Sequence, residues 1–582
     1  MAAQTKSMPR VKRAGGVQVR TWRQDATRIG LVGGLAALQL ALVGMVTTFS
    51  DRYIIGDILT LGQTMLAAVA LISGYAAARK VQAQGRQVAL AAGALAGLIV
   101  GAMLGALVIL GSLVDLRNIF VNASPELYDL ITFGLPTYVG ALARSGISAL
   151  LGAAAAAILL LAPLPRRIVV QSAVAVVIVG LLADLLRVTV AQWGSISVSF
   201  EWVFSGRGLS IAGTLVMIAV VAIGNSYRAR RPAAAVRTVR TVRQRQLQIG
   251  LIVVTLLVLP FVMGSYLSEV ASQVGLYILM AMGLNIVVGF AGLLDLGYVA
   301  FYAIGAYTMG ILTSTELGFF NMSWWAAVPF AVLAAIVAGT LLGVPVLRLR
   351  GDYLAIVTLG FGEIVRILVL SDWLKPIIGG SQGIQQIARP TIGIPPNSFV
   401  FDDPQKLYYL LLIGCVLAAF IAIRLRDSRM GRSWMALRED EDVAQAMGIN
   451  LVATKLLAFA TGAAFAGLSG AIFAAKLSAA YPNSFGFLVS INVLAVVIVG
   501  GMGSVPGVVL GALVMVGLPE ILREFAEFRL MVYGAVLVVM MLYKPEGLLP
   551  APIIRREMHE ELTVPEEAGA EFPKPAATET AK

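Results

Sequence analysis

The sequence predicts an all-α fold, a polytopic helical membrane protein, and three observations carry that prediction. Of its 582 residues 58% are hydrophobic and only 13% are charged, with a mean hydropathy of +0.86. No soluble fold needs so many apolar runs. The runs repeatedly reach about 20 residues, the length that crosses a hydrocarbon core as a helix, and they are continuous and not alternating, which excludes a transmembrane β-barrel. Basic residues gather in short clusters between the runs, so the net charge of +12 marks membrane orientation and not nucleic-acid binding.

The chain opens on a basic arm, residues 1–28, with Lys6, Arg10, Lys12, Arg13, Arg20, Arg23 and Arg28. No small-residue cleavage site follows the first apolar run, so that run reads as an anchor and not a signal peptide. Six spans follow, at about 29–49, 55–78, 88–114, 146–164, 168–186 and 208–226. The short segments after the second and fourth carry Arg79, Lys80, Arg86 and Arg166, Arg167, and the sixth leads into Arg228, Arg230, Arg231, Arg237, Arg240, Arg243 and Arg245. The segments between, 115–145 and 187–207, carry mixed charge. Positive-inside logic puts the N-terminus and the 227–246 stretch in the cytosol. That stretch is the clearest domain boundary. It reads first as a topology anchor and tether, although anionic lipid would be drawn to it.

Ten more hydrophobic segments follow, at about 248–266, 269–290, 292–313, 325–346, 352–370, 408–424, 455–475, 488–502, 506–521 and 530–543, giving about sixteen spans in all. Several are short or broken by glycine. Alternation from the linker places Arg348, Arg350, the 425–454 segment and the C-terminus in the cytosol, and the 371–407 loop outside. The domain plan is therefore an arm, an N-terminal membrane extension over 29–226, the linker, a core over 247–550 and a tail over 551–582. The tail holds Glu557, Glu560, Glu561, Glu566, Glu567 and Glu571 with several prolines, a composition that favours disorder. Trp324 and Trp325 suit a membrane–water interface. Cys415 and His559 are the sole cysteine and histidine, which argues against a disulfide framework, a metal site or histidine catalysis.

The longest strongly charged, helix-patterned segment between spans is RDSRMGRSWMALREDEDVAQAMGINLVATKL, residues 426–456. A helix starting near Ser433 would gather Ala436, Leu437, Val443, Ala444 and Met447 on one face and leave Arg438, Glu439, Glu441 and Asp442 wetter. Asp440 interrupts the apolar face, which suits a protein partner better than lipid. Gly448 suits a left-handed C-cap and Asn450 begins the return to the membrane. A plain charged loop needs neither periodicity nor cap, so the pattern reads as a docking element.

Ionisable and glycine-rich positions inside the spans are the other candidates. Glu363 and Arg366 lie one helical turn apart in LAIVTLGFGEIVRIL and can pair, either along a pathway or between packed helices. Asn285 and Asp295 bracket GFAGLLDLG, with Gly289 inside it, where a span can break and expose backbone to a substrate carboxylate or ammonium, or simply kink. Asp57 and Asp184 suit span ends or helix contacts. In the outer loop, Gly379, Gly380, Ser381 and Gly383 of GGSQGI allow tight left-handed turns for a gate, a contact with a substrate-binding protein, or a plain turn. GGMGSVPG, residues 500–507, lacks the lysine of a G-x-x-x-x-G-K-[ST] phosphate loop, so its glycines serve helix packing or a break and any ATP hydrolysis needs another polypeptide.

Four stretches together resemble the LivM-type permease of branched-chain amino acid ABC importers: GLNIVVGFAGLLDLGYVAFYAIGAYT at 283–308, RLRGDYLAIVTLGFGEIVRIL at 348–368, the 426–456 segment running into LLAFATGAAFAGLSGAIFA, and VVIVGGMGSVPGVVLGA at 496–512. The resemblance covers about residues 247–550. It implies that the helix around 433–447 is a coupling helix seated in a groove of an ATP-binding subunit, with Gly448 as the motif glycine. It also implies a second, LivH-like permease, two ATP-binding subunits that use ATP and Mg, a periplasmic or extracellular substrate-binding protein, and a bacterial inner membrane. No cofactor or metal is expected on this chain itself.

Residues 1–246 lie beyond the resemblance. Nothing in them repeats the GLNIVVGFAG, RLRG or coupling-helix patterns, which argues against a fused partner permease; they resemble the membrane extensions of some relatives. The function expected is alternating access driven by ATP-induced closure of the partner subunits. The alternative is a proton- or cation-coupled secondary transporter titrating Glu363, Asp184 and Asp57. A membrane-embedded enzyme fits less well, because no catalytic constellation is visible.

Overall fold

The computed structural model describes residues 21–550, apart from 57, 192–199, 201, 206–207, 231–241, 347–348, 350, 394–398 and scattered positions between 522 and 545. The basic arm up to Arg20, most of the 227–246 stretch, Asp57, Arg348, Arg350 and the acidic tail with His559 lie outside the described residues. The chain divides into two units, Met1–Thr241 and Val242–Lys582.

The first unit holds α1 (Trp22–Leu42), α2 (Met45–Thr48), α3 (Leu61–Val81), α4 (Arg86–Leu113), α5 (Pro125–Thr132), α6 (Thr137–Leu160), α7 (Pro163–Leu181), α8 (Ala183–Ala191) and α9 (Ile211–Arg230). The first expected span starts early and stops at Leu42, because Gly44 turns left-handed at φ 91°. Helices α3, α4 and α6 meet through small residues: a Cβ on Gly93 would lie 2.6 Å from the Gly152 carbonyl oxygen, and one on Gly101 2.6 Å from the Ser145 Cα. Close backbone approach supplies the packing that lipid, itself apolar, does not drive. Asp184, at the start of α8, pairs at 2.8 Å with Arg52 of the segment between α2 and α3, so it ties a helix end to an interhelical segment.

The second unit runs α10 (Val242–Leu284), α11 (Val299–Thr313), α12 (Trp324–Val346), α13 (Asp352–Leu370), α14 (Lys375–Ile378), α15 (Pro404–Arg426), α16 (Arg429–Glu439), α17 (Glu441–Ala446), α18 (Leu451–Leu477), α19 (Phe487–Gly500), α20 (Val505–Ala512) and α21 (Leu518–Ile521). The expected spans 248–266 and 269–290 are joined in α10, which breaks at Gly264 with φ 73° and ψ −172°. Helix α18 is the core element, packed on α10, α11 and α12. Its glycines admit those neighbours; a Cβ on Gly467 would lie 2.5 Å from that of Ala335. The fully buried Tyr298, Phe301 and Phe459 fill the centre. Trp325 is exposed, as an interfacial residue would be, but Trp324 is buried in this core, a departure from the expected pair of belt residues.

The protein is a multi-pass, all-α membrane protein. Among the described residues nine helices are long and apolar enough to cross a membrane, and four further apolar helices are shorter. The long helices fall below the expected count of about sixteen because α10 takes in two segments, four expected spans form shorter helices, α1 is not among the long apolar helices, and the expected span 530–543 lies largely outside the described residues.

Candidate functional site

The charged segment between α15 and α18 forms two helices and not one. Asp440 leaves the helix with φ −157° and ψ 117°, ending α16 and capping α17; its Oδ1 accepts from the backbone N–H of Asp442 at 2.8 Å and of Val443 at 3.0 Å. Aspartate is a strong N-cap, and Glu441 and Asp442 suit the positive end of the new helix. The expected single apolar face is therefore corrected. In α16, Trp434 and Leu437 point into the core, Trp434 Nε1 donating to the Thr454 carbonyl at 2.9 Å. In α17, Ala444 is buried whereas Val443 and Met447 beside it are 58% and 79% exposed. Ser433 is partly buried, Glu439 exposed. Gly448 turns left-handed at φ 87°, and Ile449 N–H donates to the Ala444 carbonyl at 3.1 Å, closing the helix end. Asn450 Oδ1 then caps α18 by accepting from Ala453 N–H at 3.1 Å.

Two residues expected to be wet anchor this segment to the membrane core. Glu441 pairs with Lys455 of α18 at 2.8 Å, and the Lys455 side chain is only 3% exposed. Arg438 Nη1 donates to the Gly289 carbonyl at 2.9 Å. The positive φ of Gly292, 70°, sets backbone against the stem of Arg438; a Cβ there would lie 2.8 Å from Arg438 Cγ. At the start of α16, the Arg426 guanidinium holds the Asp427 carboxyl below its ordinary range by hydrogen bonding.

Gly289 belongs to a π-helical turn, Asn285–Phe290, that ends the long helix before it. Such turns widen the backbone ring and free carbonyls, and they recur at functional positions. Here the buried Asn285 Oδ1 accepts from Gly503 N–H at 2.8 Å. Within the glycine-rich 500–507 stretch, residues 501–504 form the turn between α19 and α20, closed on the π turn, with Gly501 and Gly503 at positive φ, 116° and 75°. Interspan segment, broken span and glycine turn form one contiguous junction.

Residues 291–298 then run without helix into α11. Asp295 is fully buried; its Oδ1 accepts from Gly297 N–H at 2.9 Å, and its Oδ2 has no hydrogen-bond partner among the described residues. Neighbouring backbone is tied down by Thr358, whose Oγ1 accepts from Leu296 N–H at 3.0 Å, and by Ser490, whose Oγ accepts from Val299 N–H at 3.0 Å. Glu363 is not brought to this junction: Arg366 Nε donates to its Oε2 at 2.8 Å on α13.

The outer-loop glycines stand at φ 78° for Gly379, 58° for Gly380 and 70° for Gly383, with Ser381 exposed. A two-way backbone pairing of Ile384 with Ala480 fixes this loop beyond the end of α18. An apolar cleft of about 280 Å³ between α10 and α15 is lined by Val274, Ile278, Tyr408, Leu411 and Cys415 among others. Among the described residues no group of three metal-binding side chains gathers.

Comparison with known proteins adds the family. The model for the branched-chain amino acid transport system permease component matches residues 266–542. The high-affinity branched-chain amino acid transport system permease protein LivM of Salmonella typhimurium is 43% identical over 329 residues, 53% of this chain and 76% of the relative. LivM of Escherichia coli matches to the same extent. LivH of Escherichia coli is 26% identical over 296 residues, 48% of this chain and 93% of the relative. No solved structure matches.

Proposed function

The chain belongs to the family of branched-chain amino acid transport permeases, and on that premise we propose that it is the transmembrane permease subunit of an ATP-driven ABC importer for branched-chain amino acids. The observation that carries the reading is 43% identity over three quarters of a LivM protein. The alternative of an ion-coupled secondary transporter has no such support.

In this reading the chain works with a LivH-like second permease, two ATP-binding subunits and a substrate-binding protein at the outer face. It lies in a bacterial inner membrane with both termini cytosolic. It is not an enzyme; ATP and Mg act on the ATP-binding subunits. The exposed Val443 of α17 and Met447 at its C-cap would enter a groove of one ATP-binding subunit, with Gly448 turning the chain back after them. Movement of that subunit would act on α16–α17, and Arg438 would pass it to the π turn at Gly289. Asn285 would carry it on to the glycine turn at Gly503. A broken span held by single side-chain bonds can adopt two packings, which is what alternating access requires. Asn285, Gly289 and Asp295 would lie beside the substrate path, the free Oδ2 of Asp295 offering an acceptor for an ammonium group in another packing. The turns at Gly379, Gly380, Ser381 and Gly383 would face the binding protein.

The test is uptake of labelled leucine by proteoliposomes holding the whole complex, with binding protein outside and ATP inside. Uptake that requires ATP and resists an ionophore is expected. Uptake without nucleotide that collapses with an ionophore would refute the proposal.

A further inference from the structure

Helix α10 carries a graded polar stripe beyond its break at Gly264. Glu269, Gln273 and Tyr277 recur every fourth residue and so share one face. Glu269 is exposed and Gln273 and Tyr277 are half-buried. Tyr302 of α11, which Tyr277 adjoins, is buried. Facing the stripe is Lys476, in the last turn of α18, at the end away from α16 and α17. Its Nζ donates to Glu269 Oε1 at 2.8 Å and to Gln273 Oε1 at 3.1 Å. The Lys476 side chain is 6% exposed and that of Glu269 48%.

An aromatic cluster adjoins these charges. Phe473 lies one turn before Lys476 on α18, and its ring stands 5.2 Å from that of Tyr302. Phe485 is 5.4 Å from Tyr302 and 5.6 Å from Tyr307. The buried Tyr307 hydroxyl has no hydrogen-bond partner among the described residues. A nearly buried ammonium is costly to keep, and ionisable groups inside a membrane span mark substrate routes. Here a carboxylate open on one side, an ammonium and an aromatic wall stand together. An amino acid with an aliphatic side chain presents the matching set. Its ammonium would meet Glu269 and its carboxylate Lys476, so each charge exchanges one partner for another of the same sign and neither is left unpaired. Its side chain would lie against the rings.

We propose that Glu269 and Lys476, with the rings of Tyr277, Tyr302 and Phe473, form a binding subsite for a zwitterionic aliphatic amino acid, closed on itself in this packing. The inference rests on the reading of the chain as a branched-chain amino acid permease. It adds a substrate contact at the end of α18 opposite α16, apart from Asp295.

The test uses proteoliposomes holding the whole complex, with binding protein outside and ATP inside. Glu269→Gln should lower leucine uptake per ATP hydrolysed by about tenfold; an unchanged ratio would overturn the proposal. Glu269→Lys with Lys476→Glu restores the ion pair but reverses the polarity offered to the substrate, so uptake should stay low. Recovery to the parent rate would make the pair a tie between helices and overturn the subsite. A second measurement needs no variant to fold: photo-leucine, a diazirine analogue, is delivered by the binding protein to the unsubstituted complex and illuminated. Mass spectrometry should find adducts at Tyr277, Tyr302 or Phe473; adducts confined to other residues, or none on this chain, would also overturn it. Uptake of labelled leucine is measured in the same unsubstituted complex. Its absence counts against the importer reading, whereas ATP-driven uptake beside adducts elsewhere counts against this subsite alone.

Discussion

Arg438 and Gly289, 149 positions apart in sequence, are joined by a 2.9 Å hydrogen bond from the Arg438 guanidinium to the Gly289 carbonyl. The bond ties an interspan helix to a π-helical turn inside the core. A charge-assisted bond of this type contributes about 1.5–3 kcal/mol. Arg438→Ala should therefore cut uptake per ATP hydrolysed by about tenfold while the complex still assembles. Arg438→Lys should recover part of the ratio, since an ammonium keeps the charge and loses the fixed fork. Parallel measurement of uptake and ATP hydrolysis in proteoliposomes checks this; an unchanged ratio in both variants would remove Arg438 from the coupling route.

The break at Asp440 can be loosened without touching a span. Asp440→Ala removes the acceptor of two α17 amides and should cost about 0.5–2 kcal/mol locally. Hydrogen exchange of residues 441–447 should quicken, while Asp440→Asn, which can still cap, should stay near the parent.

Gly448 and Gly297 should respond differently to the same substitution. At Gly448 a Cβ meets open space, so Gly448→Ala carries only the left-handed backbone cost of about 1–2 kcal/mol and should leave the protein folded. At Gly297 a Cβ would run into the Thr358 carbonyl, and Gly297→Ala should abolish accumulation in the membrane. Quantitative immunoblotting of membranes separates the two.

The Lys455–Glu441 pair should be costly to break from one side. Glu441→Ala leaves Lys455, 3% exposed, without this counter-charge, and loss of one partner of a buried pair costs about 3–5 kcal/mol. Thermal unfolding in detergent should shift down, and Glu441→Asp should shift it less.

Much of the architecture was legible because its signals are local. Long apolar runs mark the spans, and the positive φ of Gly448 follows from a glycine at the end of a periodic segment. The division at Asp440 was missed although its signal is local: Asp440, Glu441 and Asp442 form an N-cap residue followed by an acidic first turn, which outweighs the helical periodicity read across it. What sequence could not supply is pairing at a distance. Arg438 and Glu441 read as solvent-facing by position, and only the fold brings Gly289 and Lys455 to them. The π turn was visible merely as an interrupted span, because a widened helical ring has no residue signature of its own. Trp324 was misplaced for a related reason: an aromatic at a helix start suits an interface and a core equally, and packing decides.

The central claim is that α17 receives the work of a separate ATPase. Val443 and Met447 are the side chains to change, since Ala444 is buried and charge there would break the fold instead of the contact. Val443→Glu with Met447→Glu, reconstituted with all partner subunits, is compared with the parent for leucine uptake and substrate-stimulated ATP hydrolysis. Normal membrane insertion with both activities lost is the result expected. Leucine uptake at the parent rate, independent of nucleotide and abolished by an ionophore, would contradict it.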